Sequence, residues 1–163
     1  KTTGTMFCSG ANTAGEFGNG STTSTSSFVQ IGSDSNWAQA VILSDDDGDS
    51  GRHGHSLAVK TTGTVWSTGT NYKGQLGHGN TTNLSSWTQI GSASNWLQVS
   101  VGVGSVSNAL ATNGQIYGWG KGNKSSGAGI GGVLERSVPI QIGSGSDWIE
   151  ISTNDTAGYF IGG

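Results

Sequence analysis

Four marks recur in the same order three times along this chain. The first reads TGTMFCSG at 3–10, TGTVWSTG at 62–69 and NGQIYGWG at 113–120. The second reads EFGNG at 16–20, QLGHG at 75–79 and a looser GIGG at 129–132. The third reads VQIG, TQIG and IQIG, and the fourth NWAQAV, NWLQVS and DWIEIS. Trp37, Trp96 and Trp148 are 59 and 52 residues apart, and so are Gln30, Gln89 and Gln141. A repeat of this length constrains the fold more than any other feature. Each copy must adopt the same local structure and bury its apolar face against its neighbours.

Within a unit the pattern is that of strands. TVWSTG, TQIG, WLQVS and NALAT are short runs rich in β-branched and aromatic residues, broken by Gly and Asn. WLQVSV alternates apolar and polar as a half-buried strand does, and no segment has the length and 3.6-residue period of a helix. The 30 glycines and the Ser, Thr and Asn content supply the turns. The expected fold is therefore all-β: β-propeller blades of four antiparallel strands, with three repeat units at about 1–59, 60–110 and 111–163.

Composition excludes several functions. A net charge of −3 leaves no clustered Lys and Arg for phosphates, so nucleic acid is not an expected partner. No apolar run reaches the roughly 18 residues of a membrane helix, and no signal peptide is visible. Cys8 is alone, so no intrachain disulfide forms and the redox compartment stays open.

The middle unit, TGTVWSTGTNYKGQLGHGN followed by TQIG, NWLQVSVG and NALATNG, resembles the repeat of the regulator of chromosome condensation family. The first and third units carry degenerate versions, so the resemblance spans nearly the whole chain. It implies a propeller, seven-bladed in the type member, that works as a binding scaffold. One eukaryotic branch promotes nucleotide exchange on a small GTPase, and a bacterial branch inhibits a β-lactamase. The low charge and the Ser/Thr/Asn/Gly-rich composition resemble the bacterial and phage members most. From that resemblance the expected function is a non-catalytic scaffold for protein interaction or assembly. A virion or cell-surface decoration protein is the form it takes, at an extracellular or virion-surface location. A glycan-binding propeller and a regulator of an enzyme, of the nucleotide-exchange or hydrolase-inhibitor type, are the alternatives.

Repeat-equivalent aromatics are read as core: Phe7, Trp66 and Tyr117 in one set, Trp37, Trp96 and Trp148 in the other. Each contributes on the order of 2–3 kcal/mol when buried. Trp119 corresponds to Thr68 and Ser9, and Trp87 to Phe28 and Val138. The architecture does not demand Trp at either place, so Trp87 and Trp119 are the candidate binding residues.

The densest charge lies in LSDDDGDSGRHGHSL at 43–57, read as an insertion of about six residues in a loop. Asp45, Asp47 and Asp49 alternate around Gly48 and are candidate calcium ligands, since calcium takes several oxygens from flexible loops. The spacing departs from that of an EF-hand: Ser50 stands where Gly is needed and no bidentate Glu follows. His53 and His55 with Asp49 form a weaker transition-metal candidate. The plain alternative is a solvated acidic loop partly balanced by Arg52. No cofactor is otherwise implied. No nucleophile, base and orienting group are spaced to suggest catalysis, so no catalytic residues and no enzyme are expected.

Three units do not close a ring, and open blade edges invite self-association. The segment TGTMF near the start and AGYFIGG near the end are complementary parts of one blade. Two closures are open: two copies joined head to tail as a six-bladed ring, or further blades in a longer chain, of which this one, beginning at Lys1, is a piece.

Overall fold

The computed structural model describes residues 4–43, 54–122, 129, 134–153 and 158–163. Strands β1 (Met6–Gly10) and β2 (Thr25–Ile31) pair as a first sheet. A second, four-stranded sheet contains β3 (Trp37–Leu43), β4 (His55–Lys60), β5 (Val65–Gly69) and β6 (Leu84–Gln89) in that order. A third repeats it with β7 (Trp96–Gly102), β8 (Val106–Ala111), β9 (Ile116–Gly120) and β10 (Arg136–Gln141). Strands β11 (Trp148–Thr153) and β12 (Gly158–Gly162) form the fourth. All pairings are antiparallel.

The sheets are out of phase with the sequence repeat. Each four-stranded sheet takes its first two strands from one unit and its last two from the next. A sheet is therefore stitched by the chain of two units, so neighbouring units cannot separate without breaking a sheet.

Strands β4 and β8 are buried along their whole length, on both faces. This explains their continuous small and apolar character, SLAV and NALA, in place of alternation. The period of two sends alternate residues to opposite neighbours. Ala58 packs toward the first sheet with Met6, Phe17 and Ile31. Leu57 and Val59 pack the other way, with Trp96, Val99, Ala109 and Trp119 of the third sheet. Leu110 turns to the fourth sheet and meets Ile116 and Ile151.

The repeated TG and NG marks have a common task. Gly4, Gly63 and Gly114 adopt φ of +61°, +76° and +75°. Their carbonyls accept hydrogen bonds from the backbone N–H of Trp37, Trp96 and Trp148 at 3.0, 3.0 and 3.2 Å. A left-handed glycine thus ties each unit to the fourth mark, a geometry that a Cβ would strain.

Register corrects the reading of the loop after β3. Lys60 stands opposite Trp37, and Ala111 opposite Trp96. The first unit is therefore longer by eight residues rather than six. Alignment on the leucines, Leu57 with Leu110, misplaces the strand by two, because Leu110 corresponds to Val59.

Candidate interaction groove

Three polar devices join the sheets. Asn12 is fully buried; its Nδ2 donates to the carbonyls of Ser21 and Thr23, and its Oδ1 accepts the N–H of Phe17. Asn71 does the same with Asn80, Thr82 and Leu76. Each clamps a glycine-rich tongue that reaches the next sheet, where Gly20 and Gly79 donate to the carbonyls of Ser85 and Ser137 at 2.7 Å. Ser56 Oγ donates to the carbonyl of Glu16, and Ser107 Oγ to that of Gln75, both at 2.7 Å. Gln39 and Gln98 bond the backbone of Val99 and Ile151 with both ends of their amides. Sequence reasoning passed over the two asparagines, although their spacing equals that of the marks.

Between the first and second sheets these devices leave a groove of about 550 Å³. Its walls are Trp37, Trp66 and Trp87, and its rim carries Asn19, Gln30, Asp34 and Ser86. Trp37 meets Trp66 edge-on at 6.0 Å and 80°, and tilts against Trp87 at 5.3 Å and 46°. The Lys60 ammonium lies 4.0 Å from the centre of the Trp66 ring and 4.6 Å from that of Trp37. It also pairs with Asp34 Oδ2 at 2.6 Å. The Lys60 side chain is 10% exposed and that of Asp34 53%.

This ion pair belongs to one unit only. Lys60 faces Trp37, whereas Ala111 faces Trp96 and Gly162 faces Trp148. Three residues before each Trp stand Asp34, Ala93 and Gly145. Both partners are absent together from the other two units, so the fold does not require them.

The other singled-out residues divide as follows. Trp96 is buried against Tyr117, edge-on at 5.0 Å and 82°, the pairing that Trp37 and Trp66 make one sheet earlier. Trp148 packs on Phe160 at 6.0 Å. Phe7 is half-buried beside a small cavity of about 140 Å³. Burial pushes the neighbouring Cys8 thiol above its ordinary range. Trp87 lines the groove and closes over Gly18, where a Cβ would stand 2.5 Å from its Cδ1. Trp119 corrects the expectation of a binding role: it is fully buried, with its Nε1 donating to the Gln75 carbonyl at 2.8 Å. It sits against Gly77, the counterpart of Gly18. Two tryptophans from non-equivalent strands thus fill equivalent slots, and only Trp87 has a face left for a ligand.

Asp45, Asp47, Asp49 and His53 lie outside the described residues. His55 is fully buried on β4, with its Nε2 3.0 Å from Ser107 Oγ. Because that hydroxyl gives its proton to the Gln75 carbonyl, the imidazole must be the donor. His78 is in the same position toward Ser67, whose proton goes to Leu76. Neither histidine is placed to activate its serine. Among the described residues no three His, Cys, Asp or Glu side chains gather as a metal site.

The family model for the regulator of chromosome condensation (RCC1) repeat matches residues 49–75. Human Protein RCC2 is 38% identical over 86 residues, covering 52% of this chain and 16% of its own length. The structure of human WBSCR16 superposes with a TM-score of 0.76 at 21% identity, over 96% of this chain and 40% of that one. Prp20p of Saccharomyces cerevisiae, described with its binding to Gsp1p and histones, gives 0.71 at 18% identity, over 97% and 40%. Yeast RCC1 (Prp20) with Kap60 gives 0.73 at 19% identity, over 94% and 37%. The chain therefore spans under half the length of these relatives. The similarities lie with human and yeast proteins, which overturns the expected kinship with bacterial and phage members. The decoration role and the extracellular or virion-surface location rested on that kinship and fall with it. The chain is similar in sequence to the RCC1 repeat over 49–75, and it shares its fold with human and yeast RCC1-type structures.

Proposed function

We propose that the chain is a segment of a propeller that serves as a non-catalytic docking scaffold for a protein partner. The partner class is a small GTPase whose nucleotide exchange the protein promotes. The observation that carries this reading is the fold shared with Prp20p, which has binding properties toward Gsp1p, over 97% of this chain. The interior supports a scaffold: its polar side chains are spent on joining sheets, and the buried Ser–His contacts run the wrong way for nucleophile activation. The repeat units at 1–59, 60–110 and 111–163 then each contribute half of two adjoining blades.

The test is a small GTPase loaded with a fluorescent guanine nucleotide and mixed with increasing amounts of the chain. Complex formation and faster release of the labelled nucleotide are expected. A partner that neither co-elutes with the chain nor releases nucleotide faster removes the exchange reading.

A further inference from the structure

We propose that the groove walled by Trp37, Trp66 and Trp87 receives an arginine or lysine side chain from a basic segment of a protein partner. Asp34 is its counter-charge, and Lys60 is the intramolecular stand-in that the incoming cation displaces. The inference rests on the scaffold reading and names the chemistry of one partner segment.

Four observations lead there. First, an ammonium already lies over two of the indoles that wall the groove and pairs with the carboxylate on its rim. Cations are drawn to the indole face by its quadrupole, and most strongly when the site is partly dry. Second, this arrangement is private to one unit, Ala93 with Ala111 and Gly145 with Gly162 standing in the others. A feature that the repeat does not need is free to serve recognition. Third, Asp34 engages Lys60 through Oδ2 while half of its side chain faces water. A planar guanidinium can take a carboxylate with two parallel bonds, which one ammonium cannot match. Fourth, the groove of about 550 Å³ exceeds one side chain and falls in the usual range of ligand sites, ~300–1,000 Å³. Gln30, Asn19 and Ser86 on its rim are groups that bond a peptide backbone. Apart from Asp34 the lining residues carry no charge, so the cation that an incoming one must displace is Lys60, paired with Asp34 at 2.6 Å.

The exchange is one cation for another. Lys60 gives up its place and is rehydrated, and the partner's side chain takes over the carboxylate and the indole faces. Removing Lys60 therefore strengthens binding, and removing Asp34 weakens it. The repeat supplies two substitutions that the fold already carries: Asp34→Ala and Lys60→Ala reproduce Ala93 and Ala111. Register puts Pro139, not Val138, at the counterpart of Trp87, so Trp87→Val removes the indole without copying another unit.

The experiment titrates the full chain with fluorescein-labelled GGRGG, GGKGG and GGEGG peptides, read by anisotropy and by the indole N–H resonances. The Arg and Lys peptides are expected to bind and the Glu peptide to fail. Asp34→Ala is expected to weaken the Arg peptide about tenfold or more, and Lys60→Ala to tighten it about threefold or more. Trp87→Val weakens it while circular dichroism stays unchanged. The proposal is overturned if Lys60→Ala binds no basic peptide, or if Asp34→Ala leaves the affinity unchanged. An oligosaccharide panel that shifts the indole resonances where the Arg peptide does not also overturns it. The nucleotide-release assay runs in parallel. Loss of release with peptide binding intact sinks only the exchange reading, and the reverse sinks only the groove.

Discussion

Gln39 holds Val99 of the neighbouring sheet by both ends of its side-chain amide. Its Oε1 accepts the Val99 N–H at 2.8 Å, and its Nε2 donates to the Val99 carbonyl at 3.1 Å. The side chain acts as one more peptide unit, pairing across a gap where the sheets share no backbone ladder. Gln98 repeats the device on Ile151 at 3.0 and 3.2 Å. Gln39→Leu removes both bonds and leaves a donor and an acceptor of Val99 without partners. The expected cost is about 2–3 kcal/mol in urea unfolding. Gln39→Glu keeps the acceptor alone and should fall between the two. Equal stability of Leu and wild type would mean that water replaces the amide at no cost.

The buried asparagines are expected to matter more. Asn71→Ala orphans the Leu76 N–H and frees the carbonyls of Asn80 and Thr82. A loss on the order of 3 kcal/mol is expected, with rapid hydrogen exchange along 71–79 as the local signature. Asn71→Asp retains the acceptor and should protect the Leu76 amide while losing most of the stability. The third unit has Gly122 here, because a Cβ would run into the Leu134 carbonyl.

Much of this was legible in the sequence and some was not, for physical reasons. Glycines at positive φ and short apolar runs report local backbone needs, so the strands and turns could be read directly. Asn12 and Asn71 carry the repeat spacing as plainly as the tryptophans, yet an Asn in a polar loop looks like any turn residue until its partners are known. Asp34 and Lys60 lie 26 residues apart, and only the register that puts Lys60 opposite Trp37 brings them together. Trp119 misled because equivalence along the chain is not equivalence in space: its slot is filled in the preceding interface by Trp87, from another strand.

The two tryptophans should respond differently to truncation. Trp119→Thr, which copies Thr68, empties a fully buried site and leaves the Gln75 carbonyl with one donor fewer. A loss of about 3–5 kcal/mol is expected from cavity formation. Trp87→Val acts on a half-buried side chain whose Nε1 has no hydrogen-bond partner among the described residues. It should cost less than half as much. Denaturant midpoints of the two variants measured side by side decide this, and a reversed order would contradict the burial that separates them.

His78 makes stability depend on pH. It is half-buried, and burial holds its pKa below the ordinary 6.5. Its Nε2 stands 2.9 Å from Ser67 Oγ and must donate, since that hydroxyl gives its own proton to the Leu76 carbonyl. The unfolded chain takes up a proton at this imidazole at higher pH than the folded one does. Stability from this group is therefore fully present above about pH 6.5 and is lost as pH falls through the folded value. The imidazolium keeps its Nε2 proton, so the bond to Ser67 survives and only the penalty of burying charge is felt. His78→Asn, which copies Asn19 of the first unit, removes the titration. Melting temperatures of both proteins from pH 5 to pH 8 should run parallel above neutrality and diverge below pH 6.5, the wild type falling faster. Subtracting the two curves cancels the contributions that the two proteins share. Parallel curves down to pH 5 would show that His78 takes up its proton equally well in both states.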